Sequence, residues 1–189
     1  MTKTPSRLQD LRRRIYVTAQ AEPSWRVGGV DVQGGNLETL RAASQLAQAN
    51  HGAPGGDGVT FEAIEARGLD AFLAQIQDER VTRTYPPRRL RQKAIPKEGG
   101  PQGRGLSIPT IRDRVVPGAF KLILAPLFAA DCQAGSYGYR PKRSAHAAVL
   151  RVAEALVKDK TRVIDVDLPA YFDTIRHGCS PETDTSPVH

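Results

Sequence analysis

Apolar positions recur at helical spacing over several stretches of the chain. Leu37, Leu40, Ala43, Leu46 and Ala47 share one side of a helix that Asn36 can cap, and Gly52 and Pro54 end it. Thr60 stands where it can cap a short helix over 61–66. A second helix is predicted from about 69 to 81, with Leu69, Phe72, Leu73 and Ile76 on one side. Val115, Val116, Ala119, Phe120, Ile123, Leu124 and Leu127 mark a long apolar helix over 111–130. Ser144 caps a further helix whose stripe is Val149, Val152, Ala153, Leu156 and Val157. Glu154 and Lys158 form a favourable i,i+4 pair on it.

The period changes twice. Pro86-Pro87 breaks the helical pattern, and residues 88–96 then alternate basic with uncharged or apolar positions. That alternation suits an exposed strand with one charged face. Residues 98–103 read as a turn and 106–109 as the returning strand of a hairpin. The second change is at Arg162-Val163-Ile164-Asp165-Val166-Asp167-Leu168. Its β-branched composition is that of a buried strand. Asp165 and Asp167 share one face, and Ile164, Val166 and Leu168 take the other. Pro169 removes a ladder donor and should stop the strand. Residues 1–35 carry no such pattern. Arg12-Arg13-Arg14 and the glycines at 28, 29, 34 and 35 predict a mobile basic arm.

Charge sharpens this picture. The net charge is +7, from 27 basic and 20 acidic residues. Between Arg80 and Arg143 stand 14 Lys and Arg against Glu98, Asp113 and Asp131, a local charge of +11 that leaves −4 for the rest. A concentrated basic segment favours a polyanion through phosphate neutralisation and counterion release, although a well-solvated basic surface has the same composition. At 189 residues, 40% hydrophobic and 25% charged, the chain has the length and composition of a soluble globular protein. No apolar run reaches membrane-spanning length, so no membrane partner is expected. Nor does an apolar run follow the basic N-terminus as in a secretory signal. Cys132 and Cys179 are isolated, which predicts neither a disulfide framework nor a zinc site, and a cytoplasmic location is expected.

Two stretches bear on chemistry. The loop Gly52-Ala53-Pro54-Gly55-Gly56-Asp57-Gly58-Val59-Thr60 is rich in turn formers, but no Gly-Lys-Ser/Thr follows, which excludes a P-loop. Asp165 and Asp167, at the carboxyl end of a buried strand, are either solvated end residues or ligands for a hard cation such as magnesium. Residue types alone leave both readings open.

The wider block resembles a known family. Asp165-Val-Asp-Leu-Pro-Ala-Tyr-Phe-Asp173 followed by Ile175-Arg-His177 resembles the first catalytic block of the palm in reverse transcriptases of the group II intron (maturase) kind. The resemblance implies that Asp167 is a catalytic magnesium (Mg2+) ligand and that Phe172 lies under the sugar of the incoming deoxynucleotide. Asp165 and Asp173 are frequent in that family without being ligands. The 52–60 loop resembles a loop that precedes the fingers, with a structural and RNA-contacting role. The 88–109 hairpin resembles the fingers, whose Arg and Lys meet the triphosphate and the template. Arg104 matches the Arg of the usual Arg-Pro-Leu-Gly-Ile-Pro, and Lys97 and Arg112 are its helpers in nucleotide binding. Arg88, Arg89, Arg91 and Lys93 are the implied RNA contacts on the hairpin. Arg140, Lys142 and Arg143 are those within Gly135-Ser-Tyr-Gly-Tyr-Arg-Pro-Lys-Arg-Ser-Ala-His146, a second block similar to the family's.

Departures from the family are specific. Pro117 replaces a usual Gln inside the long helix, at about 3 kcal/mol unless the helix kinks or restarts. Cys132 and Ala134 replace Phe and Pro. After His177 the likeness stops. The Tyr-Ala-Asp-Asp block, thumb, maturase domain and endonuclease have no counterpart, and residues 178–189 read as an unstructured non-family tail after a break in the reading frame.

The expectation is thus an α+β chain comprising the fingers and first palm strand of a right-hand polymerase fold. It divides into a basic arm over 1–35, a fingers and early-palm domain over 36–177 and the tail. The full-length enzyme would be an RNA-directed DNA polymerase, magnesium-dependent, acting on RNA with primer DNA and deoxynucleotides, and this chain alone would be inactive. The alternatives are a non-catalytic RNA-binding remnant and a truncated product without function.

Overall fold

The computed structural model of the protein describes residues 6–22, 24–25, 34–96, 104–169, 171 and 174. Among these the chain forms α1 (Ser6–Ala21), α2 (Leu37–Ala49), α3 (Phe61–Arg67), α4 (Leu69–Val81), β1 (Arg91–Ile95), β2 (Arg104–Ile108), α5 (Ile111–Asp131) and α6 (Ala145–Val157). It divides into two units, Met1–Pro141 and Lys142–His189, a boundary that cuts the 36–177 span expected from sequence.

In the first unit the core is built around α5. Ile111, Val115, Ala119 and Ile123 are each no more than 1% exposed, and α1 and α2 pack along them. Leu40 and Ala43 of α2 join this core, as do Phe61 and Ile64 of α3 and Leu73 and Ile76 of α4. Polar side chains cap its helix starts, at Asn36 and Thr60 as expected and at Thr110 besides. Asn36 Oδ1 accepts from the Glu38 amide, Thr60 Oγ1 from the Ala63 amide and Thr110 Oγ1 from the Asp113 amide. Each such cap contributes about 1 kcal/mol.

Residues 6–21 correct the reading of a mobile arm. They form α1, and Leu8, Ile15 and Ala19 are buried in the core with Leu11 packed beside them. The spacing 8, 11, 15, 19 is one helix face. The arginine triplet interrupts it in the sequence but falls mostly on the outer side, where Arg13 and Arg14 are exposed. Burying side chains such as Leu8 and Ile15 stabilises by about 1.5–3 kcal/mol each, enough to dock a helix that charge alone would leave in solvent.

Helix α5 runs unbroken through Pro117 and Pro126. Each proline removes one helical hydrogen bond. The side chains around Pro117 explain its tolerance, because Val115, Val116 and Ala119 are all buried there. The next residue, Gly118, lets α2 approach: a β-carbon added to it would stand 3.5 Å from the Ala43 methyl.

The hairpin is an isolated antiparallel pair in register Arg91–Ile108, Gln92–Ser107, Lys93–Leu106, Ala94–Gly105 and Ile95–Arg104, and every residue of β1 is exposed. Among the described residues it is the sole sheet. The strand expected over 162–168 is therefore corrected. Residues 161–168 pair with nothing described, and Val163, Ile164 and Val166 are 86%, 89% and 78% exposed. Strand propensity is satisfied only by a ladder partner, and none is present for this segment among the described residues. Within the second unit, α6 buries no residue, contrary to the expected packing of its stripe on a sheet, and Val149, Val152 and Leu156 remain exposed. Residues 178–189, the expected tail, lie outside the described residues.

Candidate nucleic-acid interface

The start of α5 anchors the segment leading into the hairpin. Thr110 caps the helix, and three residues on, Asp113 collects hydrogen bonds from the Tyr85 hydroxyl (2.7 Å), the Thr110 hydroxyl (2.6 Å) and the Arg88 amide (3.1 Å). The hydroxyls and amide of an otherwise irregular stretch are thereby tied to a helix N-terminus, where a carboxylate is favoured. Burial, together with its bond to Asp113, pushes the Tyr85 hydroxyl well above the ordinary tyrosine range.

Behind this clasp the 52–60 loop is locked onto the same helix end. Gly55 lies so close that an added β-carbon would stand 2.5 Å from the Thr110 Cα and 2.6 Å from its nitrogen. Only glycine admits that approach. Arg114 Nε and Nη2 donate to the Pro109 carbonyl at 3.1 and 2.9 Å, and Nη2 also donates to the Ala53 carbonyl. Asp57 Oδ1 accepts from the Val59 amide, and Gly58 takes φ 68° to close the turn. The glycines of this loop serve close packing and a tight turn.

Set on that base, the hairpin presents its cations outward. Arg88, Arg89, Arg91 and Lys93 are all exposed. Strand register puts Arg91 opposite Ile108 and Lys93 opposite Leu106 on one face, while Gln92, Ala94, Gly105 and Ser107 form the other. Arg104 stands in β2 opposite Ile95. Lys97 lies outside the described residues. One face thus interleaves charge with aliphatic surface, and the other is small and uncharged.

Arg112 and Arg140 have different surroundings from those the sequence implied. The Arg112 guanidinium pairs with Glu79, with side-chain exposures of 13% and 19%, and stacks 4.6 Å from the Tyr85 ring centroid. Burial lowers its pKa, and neighbouring Asp113 opposes that shift. Arg140 donates to the carbonyls of Gln133 (2.7 Å), Ser136 (3.1 Å) and Ala129 (3.4 Å), closing the loop after α5. Both arginines are engaged by the fold. In the same loop Tyr139 is fully exposed at φ 54°, a backbone region that bulky residues rarely occupy. In the second unit Lys142 is exposed at φ 61°, and Arg143 is exposed.

The carboxylates expected at a metal centre do not form one among the described residues. Asp165 and Asp167 are exposed on an unpaired segment, and Asp167 Oδ1 accepts from the adjacent Leu168 amide at 2.9 Å. No group of three His, Cys, Asp or Glu among the described residues is placed to hold a cation. Phe172 and Asp173 lie outside the described residues. The described donors therefore do not fit a magnesium site by themselves.

Sequence reasoning missed the anchoring residues Tyr85, Asp113 and Arg114. Thr110-Ile-Arg-Asp113 is a readable capping box, but nothing local announces that its carboxylate also holds a tyrosine 28 positions earlier.

Comparison with known proteins adds three relatives. Protein YkfC of Escherichia coli (strain K12) is 35% identical over 176 residues, covering 90% of this chain and 46% of that protein. Group II intron-encoded protein LtrA of Lactococcus lactis subsp. cremoris is 31% identical over 94 residues, 50% of this chain and 16% of LtrA. A COX1/OXI3 intron 1 protein of Saccharomyces cerevisiae is 29% identical over 120 residues, 64% of this chain and 14% of the yeast protein. No family model matches the chain. The chain spans less than half the length of these curated relatives. Over half to two thirds of its residues it is related to intron-encoded proteins. No described helix is long and apolar enough to cross a membrane.

Proposed function

We propose that the chain is an RNA-binding part of a reverse transcriptase of the intron-encoded, maturase-related kind. The observation that carries this reading is the hairpin, which holds Arg88, Arg89, Arg91 and Lys93 exposed on a segment clamped to the start of α5. Relatedness to intron-encoded proteins supports RNA as the polyanion. The cations neutralise backbone phosphates and release counterions, so binding is strong at low salt and tolerant of sequence. The aliphatic residues between them keep the strand extended and the cations spaced.

The finer reading is RNA-directed DNA synthesis in a larger assembly, on a right-hand polymerase fold, using primer DNA, deoxynucleotides and magnesium. In it Asp167 is one ligand among carboxylates contributed from elsewhere, and Arg104, Phe172 and Lys97 face the nucleotide. The described residues do not complete that centre by themselves. Arg112, held by Glu79 and Tyr85, acts in this reading as a support for the clasp.

The test is fluorescence anisotropy of the whole chain with single-stranded RNA across a salt series. If four phosphates are neutralised, the logarithm of the binding constant should fall against that of salt with a slope of about −3. Reversing Arg88, Arg89 and Arg91 to Glu together should weaken binding by about 100-fold or more at low salt, through loss of those contacts and added repulsion. A flat salt response, or unchanged affinity in the triple variant, would overturn the proposal.

A further inference from the structure

A second site lies away from the hairpin, between α2 and α5. Ala53 sits just beyond α2 and bonds Arg114 near the start of α5, while Ala43 meets Gly118 further along, so the two helices run antiparallel. Beside their close approach is a cavity of about 360 Å³. Leu46 and Leu122 give it apolar walls, Asn50 and Arg114 stand at one end, and Lys121 and Arg12 also line it. Three of its lining residues are cationic, and none of them is acidic.

Arg12 is the unusual member. It is half-buried, burial lowers its pKa, and it has no hydrogen-bond or ion-pair partner among the described residues. A charge drawn partly out of water without a counter-charge costs free energy that a bound anion would recover. Arg114 is oriented by two backbone carbonyls, so its position is preset. The volume is at the small end of ligand sites, which suits one nucleotide and excludes two. Apolar walls accept a flat base, an amide such as Asn50 can read a base edge, and the cations take the phosphate.

We propose that this cavity binds one unpaired nucleotide through its base and its phosphate together. The inference deepens the reading of the chain as RNA-binding and rests on it for the source of the nucleotide. A nucleotide splayed from single-stranded RNA and a free mononucleotide present the same chemistry. The strand is the occupant proposed.

The experiment follows backbone amide resonances of the isotopically labelled whole chain during titration with AMP, adenosine and inorganic phosphate. AMP should shift the amides of Leu46, Asn50 and Lys121 saturably, with each half-ligand at least about tenfold weaker, the size expected from losing one charge-assisted contact or the base's apolar burial. Leu46→Trp should fill the cavity and abolish the response. Leu46 is 45% exposed, so the larger ring can be accommodated, and an unchanged melting temperature verifies it. Arg12→Gln should weaken AMP about tenfold. RNA carrying 4-thiouridine should crosslink to peptides of α2 and α5 in the parent and not in Leu46→Trp. Failure of AMP to shift these amides, or equal binding of adenosine, overturns the proposal even when hairpin-dependent RNA binding stands. Decanoate saturating the same amides more tightly than AMP overturns it in favour of an acyl anion. AMP binding that persists without RNA crosslinks overturns the strand as the occupant, in favour of a free mononucleotide. AMP binding in a chain whose RNA affinity ignores the hairpin reversals supports the cavity and counts against the function proposed above.

Discussion

Arginines in two regions of this molecule have opposite fates. Arg88 and Arg89, leading into the hairpin, are exposed, and Arg91 stands on a strand whose every residue is exposed. Around α5, Arg112, Arg114 and Arg140 have guanidinium groups engaged by a carboxylate, an aromatic ring and backbone carbonyls. All belong to the one basic segment that net charge marks as a polyanion site. The difference is local geometry. A planar fork of five donors close to a loop's unpaired carbonyls will satisfy them, and the charge is then lost to a ligand. Charge counting overstates the interface by the cations that the fold has already used.

The strongest way to break this comparison is at the contact that holds the engaged region together. Gly55→Ala places a methyl against the backbone of Thr110, where neither partner is a flexible side-chain end. Overpacking of this kind should destabilise by about 3 kcal/mol, measured by denaturant unfolding. Loss of the loop should also unseat Arg88, because the Thr110–Asp113 cap holds its amide. A stability change under about 1 kcal/mol would show that the loop is not locked to α5.

Next in size is a direct contrast of the two arginine classes. Arg140→Ala leaves the carbonyls of Gln133, Ser136 and Ala129 without their donor and should cost about 2 kcal/mol. Arg89→Ala, on the surface, should change stability by less than about 0.5 kcal/mol. RNA affinity should move the other way round, falling for Arg89→Ala and holding for Arg140→Ala at temperatures where the variant is folded. Equal effects of the two changes on both readouts would erase the distinction.

How far the sequence revealed this arrangement depends on the range of the interaction concerned. Helix periodicity found α2 to α6, and the caps at Asn36, Thr60 and Ser144 are local signals with local partners. Alternation found the hairpin. Helix α1 was lost because its arginine triplet resembles a disordered arm, and the apolar spacing Leu8, Leu11, Ile15, Ala19 was the signal available. The 162–168 segment misled for a different reason: strand composition states what a segment can pair with, not whether a partner is present. The bonds of Arg114 to Ala53 and of Asp113 to Tyr85 were beyond sequence reasoning, since they span 61 and 28 positions.

A smaller test uses pH. The Tyr85 hydroxyl is raised above its ordinary value of 10.0 by burial and by Asp113. The folded state therefore prefers the protonated phenol more than the unfolded chain does. Stability from this group is complete below pH 10 and is lost as pH rises through the folded value. Tyr85→Phe should remove that alkaline loss. At neutral pH it should cost about 1.5 kcal/mol, the worth of a hydrogen bond to a charged acceptor. An alkaline decline equally steep in Tyr85→Phe would assign it to another group.

The smallest expected effect is at Asp167. Its side chain is exposed, and its Oδ1 accepts from the next amide along the chain. Asp167→Ala should leave the melting temperature unchanged, since surface substitutions of this kind stay within about 0.5 kcal/mol. RNA affinity should hold, because Asp167 is not one of the cations proposed to meet phosphate. Primer extension on an RNA template with magnesium should be absent in both parent and variant. Two-metal catalysis needs several carboxylates converging on cations about 4 Å apart, and the described residues bring no three such groups together. One carboxylate on an irregular segment cannot hold that geometry, and misplacement by about 1 Å already costs on the order of 100-fold in rate. Extension by the parent that disappears in Asp167→Ala would show that the chain completes the centre itself. Extension that appears only on adding a separately expressed partner domain, and depends on Asp167, would show that this carboxylate is competent once the strand is paired.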